Sequence, residues 1–88
     1  MAKTIYSVEY ADLVLMLRHK RLAAGLTQDE LARKAGVSRL VIGKNERGER
    51  RIDVIELQAL CRALGISTAA FMSELEERQK RWQLRVAG

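Results

Sequence analysis

Residues 26–48 read LTQDELARKAGVSRLVIGKNERG, and this stretch contains start and stop signals for two short helices separated by a tight turn. Thr27 and Glu30 have the spacing of a capping box, in which each side chain binds the other residue's backbone amide at a helix start. Gly36 follows as a stop signal, because glycine adopts the left-handed conformation after a helix without strain. Ser38 is a favourable N-cap for the next helix. The stretch therefore predicts two short helices that pack against each other at a turn.

Similar signals on both sides extend the helical pattern to the rest of the chain. Ser7 is a good N-cap for a first helix that ends before Gly25, and Asp53 opens a fourth helix that ends before Gly65. Ser67 caps a fifth helix, and no segment alternates apolar and polar residues as a strand does. We therefore predict an all-α, five-helix fold in one domain, residues 1–88. Its core spans 7–66, and an extended C-terminal helix spans 67–86.

The composition restricts the class of protein. The chain has 88 residues, of which 48% are hydrophobic, enough for a small core and too many for a disordered chain. It has no apolar run as long as a membrane span and no secretory signal at its start, so no membrane contact is expected. The one cysteine, Cys61, has no partner for an internal disulfide, which favours a cytoplasmic location.

Positive charge is concentrated in the middle of the sequence. Residues 18–51 contain ten Lys or Arg and four acidic residues, a net charge of +6, whereas the whole chain carries +5. A basic segment of this kind either forms a solvated surface or binds a polyanion. The third predicted helix is short, is exposed by the two-helix arrangement and fits a DNA major groove. This helix and the basic segment together favour double-stranded DNA as the partner.

The sequence resembles the lambda-repressor-like (XRE/Cro) helix-turn-helix family over about residues 13–71. The residues that carry the resemblance are Leu17, Arg18, Arg21, Gly25, Leu26, Thr27, Gln28, Glu30, Leu31, Ala32, Gly36, Val37, Ser38, Ile42, Lys44, Glu46, Gly48, Ala63, Leu64, Gly65, Ile66 and Ser67. The resemblance implies that the third helix is the recognition helix, which reads bases in the major groove.

The resemblance assigns base reading to Arg39, Leu40, Gly43 and Lys44. An arginine can bind the O6 and N7 atoms of guanine, and a leucine can contact a thymine methyl group. We therefore expect a half-site that contains guanine beside thymine. Gly43 is unusual inside a helix, where glycine costs about 1 kcal/mol relative to alanine.

Further roles follow for the surroundings of the recognition helix. The resemblance implies an ion pair between Arg21 and Glu46 that links the first helix to the end of the third. Asn45 either is buried with a hydrogen-bond partner or is exposed and contacts DNA or a loop. The residues expected to contact phosphates are Gln28, Ser38, Arg47, Arg50 and Arg51.

The sequence offers little for catalysis or metal binding. His19 is the only histidine and Cys61 the only cysteine, which is too few ligands for a metal site, and no nucleophile has a base at a suitable spacing. We therefore expect no cofactor, no metal and no enzyme activity.

The last helix carries an apolar stripe that can pack either on the chain's own core or on a second copy. We favour the second copy and expect Phe71, Leu75 and Trp82 in a dimer interface. Glu74 and Arg78 have the i,i+4 spacing of an ion pair within the helix.

The predicted function is that of a transcriptional regulator, in particular a repressor that binds a palindromic operator as a homodimer. One alternative is an antitoxin-type module that binds a toxin protein and regulates its own operon. Another is the controller protein of a restriction-modification system.

Overall fold

The computed structural model describes residues 7–87, with side chains for residues 7–81. Five helices follow one another in this part of the chain, which contains no strand, so the predicted all-α, five-helix fold is confirmed. The helices are α1 (Val8–Ala23), α2 (Gln28–Ala35), α3 (Arg39–Glu46), α4 (Val54–Leu64) and α5 (Thr68–Ala87).

Local signals define the helix ends. At α2, Thr27 accepts a hydrogen bond from the amide of Glu30, and the Glu30 side chain accepts one from the amide of Thr27. Asp53 and Glu56 form the same reciprocal pair at the start of α4. The C-cap of α2 is Gly36, with φ 76°, a left-handed conformation in which a side chain would be strained.

The core lies where all five helices meet. Its most completely buried side chains are Met16 on α1, Ile42 on α3, Cys61 on α4 and Phe71 on α5. The other buried members are Leu17, Leu31, Ala32, Leu57, Leu60 and Leu75.

The first half of α5 belongs to this core, which corrects two predictions. Phe71 and Leu75 are 1% and 3% exposed because they pack against the chain's own helices, so they are unavailable to a dimer interface. The core therefore extends beyond residue 66. The side chain of Trp82, the third expected interface residue, lies outside the described residues.

A polar seam joins α1 to α5. Lys20 of α1 donates to Glu74 of α5 over 2.8 Å, and Arg78 of α5 donates through Nε to Asp12 of α1 over 3.1 Å. Glu74 and Arg78 therefore pair with α1, whereas their spacing predicted a pair within α5. The docking of α5 on α1 determines these partners, which sequence spacing does not reveal.

Within the described residues, no single helix is long and apolar enough to cross a membrane. Only α4 and α5 taken together reach that length and composition, and a bend of 104° separates them.

Candidate nucleic-acid interface

The third helix, α3, has one buried face and one exposed face. Ile42 is 2% exposed and anchors the helix in the core. Arg39, Leu40 and Lys44 lie on the exposed face, and Leu40 is 63% exposed although it is a large apolar residue. These three of the four expected base readers are therefore available to a ligand.

Gly43, the fourth expected base reader, is buried, and this corrects its assignment. A Cβ at this position would lie 3.3 Å from Nη1 of Arg47 and 3.7 Å from Oε1 of Gln28. The ends of these two side chains cover the glycine backbone. Gly43 therefore provides the space in which the Arg47 guanidinium lies over α3.

An ion pair fixes the end of α3 to α1. Arg21 donates through Nε and Nη2 to both carboxylate oxygens of Glu46, over 2.6 and 3.0 Å. The two side chains are only 8% and 10% exposed. Arg21 also donates to the carbonyl of Leu26, and Gln28 donates to Glu46 over 2.9 Å. The structure thus contains the Arg21–Glu46 pair that the resemblance implied, and it adds Gln28 from α2. Three helices are held together at this point.

This network gives Gln28 a different partner from the one expected. Its side-chain amide donates within the protein, to Glu46, so any contact between this amide and a phosphate requires exchange of that hydrogen bond. Ser38 is exposed at the start of α3, where its hydroxyl accepts a hydrogen bond from the amide of Val41. An accepting hydroxyl keeps its own proton available for a second hydrogen bond.

Arg47 lies at the end of α3 and pairs with Glu49. Its Nε and Nη2 atoms donate to the two carboxylate oxygens over 3.1 and 3.2 Å. Both side chains are more than half exposed. The hydrogen bond from Arg47 lowers the pKa of Glu49 below its ordinary value.

Arg50, an expected phosphate contact, has hydrogen-bond partners within the protein. Its guanidinium donates to both oxygens of Glu56 over 2.9 and 2.6 Å and to Oδ1 of Asn45 over 3.3 Å. The hydrogen bond from Arg50 lowers the pKa of Glu56. Asn45 is 5% exposed, so it is the buried, hydrogen-bonded residue of the two alternatives. Arg50 thus fastens the loop after α3 to the start of α4.

Tyr10 supports the loop after α3, a role that the sequence analysis missed. Its hydroxyl donates to the carbonyl of Arg50 over 2.9 Å and accepts from the amide of Ile52 over 3.0 Å. The Arg51 guanidinium carbon lies 5.2 Å from the centre of the tyrosine ring, within the range of a cation–π contact. Tyr10 therefore positions the loop and its exposed Arg51. No local signal marks this role, because the two hydrogen-bond partners are 40 and 42 residues away in the sequence.

Comparison of the sequence with models of protein families agrees with the helix arrangement described above. A model described as helix-turn-helix matches residues 17–71, a segment that includes the whole of α2, α3 and α4. The chain belongs to the helix-turn-helix family. It resembles the XRE-type, lambda-repressor-like members of that family, as its sequence predicted.

Several helix-turn-helix relatives are similar over most of the chain. An uncharacterized transcriptional regulator in the ATPase CF(0) region of Rhodospirillum rubrum is 39% identical over 74 residues, which are 84% of this chain and 68% of that protein. An XRE-family like protein from Pseudomonas syringae pv. tomato has a TM-score of 0.75 and 41% identity, covering 80% of this chain and 85% of that one.

The restriction-modification controller protein C.Esp1396I is a further structural neighbour of this helix-turn-helix chain. Its crystal structure has a TM-score of 0.80 and 25% identity, covering 86% of this chain and 99% of that one. The same controller protein is also known as a tetramer in complex with its natural 35 base-pair operator; there the TM-score is 0.76 and the identity 26%, covering 82% of this chain and 95% of that one.

Proposed function

We propose that this protein is a transcriptional regulator that binds double-stranded DNA in a sequence-specific way and acts as a repressor. The observation that carries the proposal is the exposed face of α3, where Arg39, Leu40 and Lys44 project from a helix held in place by the Arg21–Glu46 pair. An α-helix fits the major groove, where Arg39 can bind guanine and Leu40 can contact a thymine methyl group.

The surroundings of α3 supply the contacts to the DNA backbone in this proposal. The start of α2 presents backbone amides and a positive helix dipole, which favour a phosphate. Ser38, Arg47 and Arg51 are exposed around α3 and are the remaining candidates for phosphate contacts. The proposed activity is binding without catalysis, and a repressor of this kind acts in the cytoplasm, where the chromosome lies.

Selection of bound duplexes from a random pool tests this function, and enrichment of a palindromic site containing guanine is expected. Arg39→Ala should then weaken binding to the selected duplex by about 1–3 kcal/mol and relax selection at one base pair. Arg62→Ala is the matched control, because it removes the same charge from an exposed position on α4. Equal affinity of the wild-type protein for every duplex would contradict the proposal.

We propose that the protein binds as a homodimer, since one recognition helix reads few base pairs and a twofold dimer reads two half-sites one helical turn apart. Phe71 and Leu75 are excluded from the contact by their burial. Val54 and Ile55, at the start of α4, are 74% and 71% exposed and are the most exposed large apolar residues in the described part of the chain. Trp82 stays a prediction.

Sedimentation equilibrium with Ile55→Glu tests the α4 contact, and Trp82→Ala tests the end of α5. The variant that converts the dimer to monomer identifies the contact. A wild-type monomer at the highest concentration measured would contradict dimerisation in the absence of DNA.

A second candidate is a controller protein of a restriction-modification system. It is favoured by the structural match to C.Esp1396I, which covers 99% of that protein's chain. A reporter gene behind the selected operator distinguishes the two candidates. A repressor lowers expression at every dose, whereas a controller that both activates and represses raises expression at low dose and lowers it at high dose.

A further inference from the structure

We propose that Glu49 competes with DNA phosphate for the guanidinium of Arg47, and that this competition sets how tightly the protein holds any duplex. The inference rests on the proposed function, because it concerns the same surface. It adds a residue that the sequence analysis did not consider, and that residue carries the charge opposite to the one expected at a DNA-binding surface.

Arg47 binds Glu49 through two hydrogen bonds from one guanidinium to two oxygens of one anionic group, an arrangement that arginine also forms with phosphate. Two parallel hydrogen bonds join Nε and Nη2 of Arg47 to the two carboxylate oxygens. A phosphate group accepts the same pair of hydrogen bonds from an arginine. Glu49 therefore occupies the Nε edge of the Arg47 guanidinium, one of the positions at which an arginine binds a phosphate with two hydrogen bonds.

The guanidinium also lies in the right place. Nη1 of Arg47 is 3.3 Å from the position of a Cβ on Gly43, so the side chain folds back over α3. The same Cβ position is 3.7 Å from Oε1 of Gln28, at the first turn of α2. Arg47 therefore lies between the recognition helix and the start of α2, where the proposed function places the DNA backbone.

The pair is held together but easily exchanged. The amide of Glu49 donates to the carbonyl of Lys44 over 2.9 Å, which keeps residue 49 beside the last turn of α3. The side chains of Arg47 and Glu49 are 57% and 54% exposed, whereas those of Arg21 and Glu46 are 8% and 10% exposed. Ion pairs this exposed to solvent contribute little to stability, so an arriving phosphate can replace the carboxylate.

The consequence is a uniform reduction of affinity. When phosphate replaces Glu49, the displaced carboxylate stays close to a polyanion, and both the lost ion pair and the new repulsion oppose binding. Because phosphates carry no sequence information, this opposition is the same for every duplex. Glu49 thus weakens binding without changing the choice of sequence.

Glu49→Gln tests the inference, with Glu77→Gln as the matched control. Glu77 pairs with Lys80 on α5, is also more than half exposed, and its substitution changes the net charge by the same amount. Dissociation constants are measured by fluorescence anisotropy for the selected duplex and a scrambled duplex at two salt concentrations. Glu49→Gln should lower the dissociation constants of both duplexes by about two- to fivefold, and the ratio of the two constants should not change. For this variant, the slope of the logarithm of the binding constant against the logarithm of salt concentration should steepen by up to about 0.9. Glu77→Gln should change neither dissociation constant by more than about 1.5-fold, because salt screens distant charges.

The Arg47→Ala background separates competition from simple repulsion. If Glu49 acts through Arg47, adding Glu49→Gln to Arg47→Ala should give a smaller gain than in the wild-type protein. An equal gain in both backgrounds would overturn the inference, and so would equal effects of Glu49→Gln and Glu77→Gln. Either result leaves the proposed function intact. That function fails separately if the wild-type protein shows no preference between the two duplexes.

Discussion

Arg21 and Glu46 form the most buried ion pair among the described residues, and the fold depends on both partners. Arg21→Ala leaves the Glu46 carboxylate buried without its main partner, and breaking a buried pair in this way costs about 3–5 kcal/mol. We expect the free energy of unfolding, measured in urea, to fall by that amount. Arg33→Ala is the control, because the Arg33–Asp29 pair is exposed, and it should change stability by less than about 1 kcal/mol. Equal urea midpoints for the two variants would contradict the structural role of Arg21.

Tyr10 is a second residue with a structural role, and removing its hydroxyl group alone tests that role. Tyr10→Phe keeps the ring beside Arg51 but removes the hydroxyl that bonds Arg50 and Ile52. Leaving two partly buried backbone groups without this partner should cost about 1–3 kcal/mol. We expect hydrogen exchange of the Ile52 amide to become faster than in the wild-type protein. Unchanged exchange at Ile52 would show that the tyrosine hydroxyl does not hold the loop.

At the scale of the element, α3 combines low intrinsic helix propensity with an arginine that lies across it. Gly43→Ala removes a helical glycine and should stabilise the protein by about 0.5–1 kcal/mol. The one tight contact of the added Cβ is with the flexible end of Arg47 at 3.3 Å, so that side chain moves aside. We therefore expect a higher melting temperature and weaker DNA binding in the same variant.

The matched control for Gly43→Ala is Gly48→Ala. Gly48 has a φ of +73°, where alanine is strained although no atom lies within 4 Å of the added Cβ. This variant should be destabilised by about 1 kcal/mol. A lower melting temperature for Gly43→Ala would mean that α3 tolerates no side chain at residue 43.

At the scale of the whole molecule, stability should be constant over a broad range of pH. Hydrogen bonds from the Thr27 amide, Arg47 and Arg50 lower the pKa values of Glu30, Glu49 and Glu56, respectively, below 4.5. A carboxyl group whose pKa is lower in the folded state than in the unfolded state stabilises the protein at pH values above the unfolded-state pKa. This stability is lost as the pH falls below about 4.5.

Burial acts at the opposite end of the pH range. It raises the pKa of Cys61 above 9.0, so the fold prefers the neutral thiol and loses stability as the pH rises above about 9. We expect urea midpoints to be level from about pH 5 to pH 9 and to fall on both sides. Cys61→Ala should remove the alkaline decline between pH 9 and pH 10, and a decline that persists there would assign it to another group.

The helix boundaries could be predicted from the sequence because the signals that set them act over three or four residues. The capping box of Thr27 and Glu30 and the left-handed Gly36 need no distant partner. The exposed position of Arg39 and Leu40 followed from the resemblance to a family with a known recognition helix. The buried ion pair of Arg21 and Glu46 followed in the same way.

The amino-acid sequence by itself determined the five helices and the concentration of positive charge, and its resemblance to a family indicated which helix has the exposed face. Tertiary structure alone decided that Phe71 and Leu75 enter the chain's own core, that Arg50 binds Glu56, and that Glu49 lies against Arg47. Helix periodicity shows which residues share a face, but it does not show what covers that face. The packing of the helices decides this, because it brings together side chains that are far apart in sequence or beside a turn.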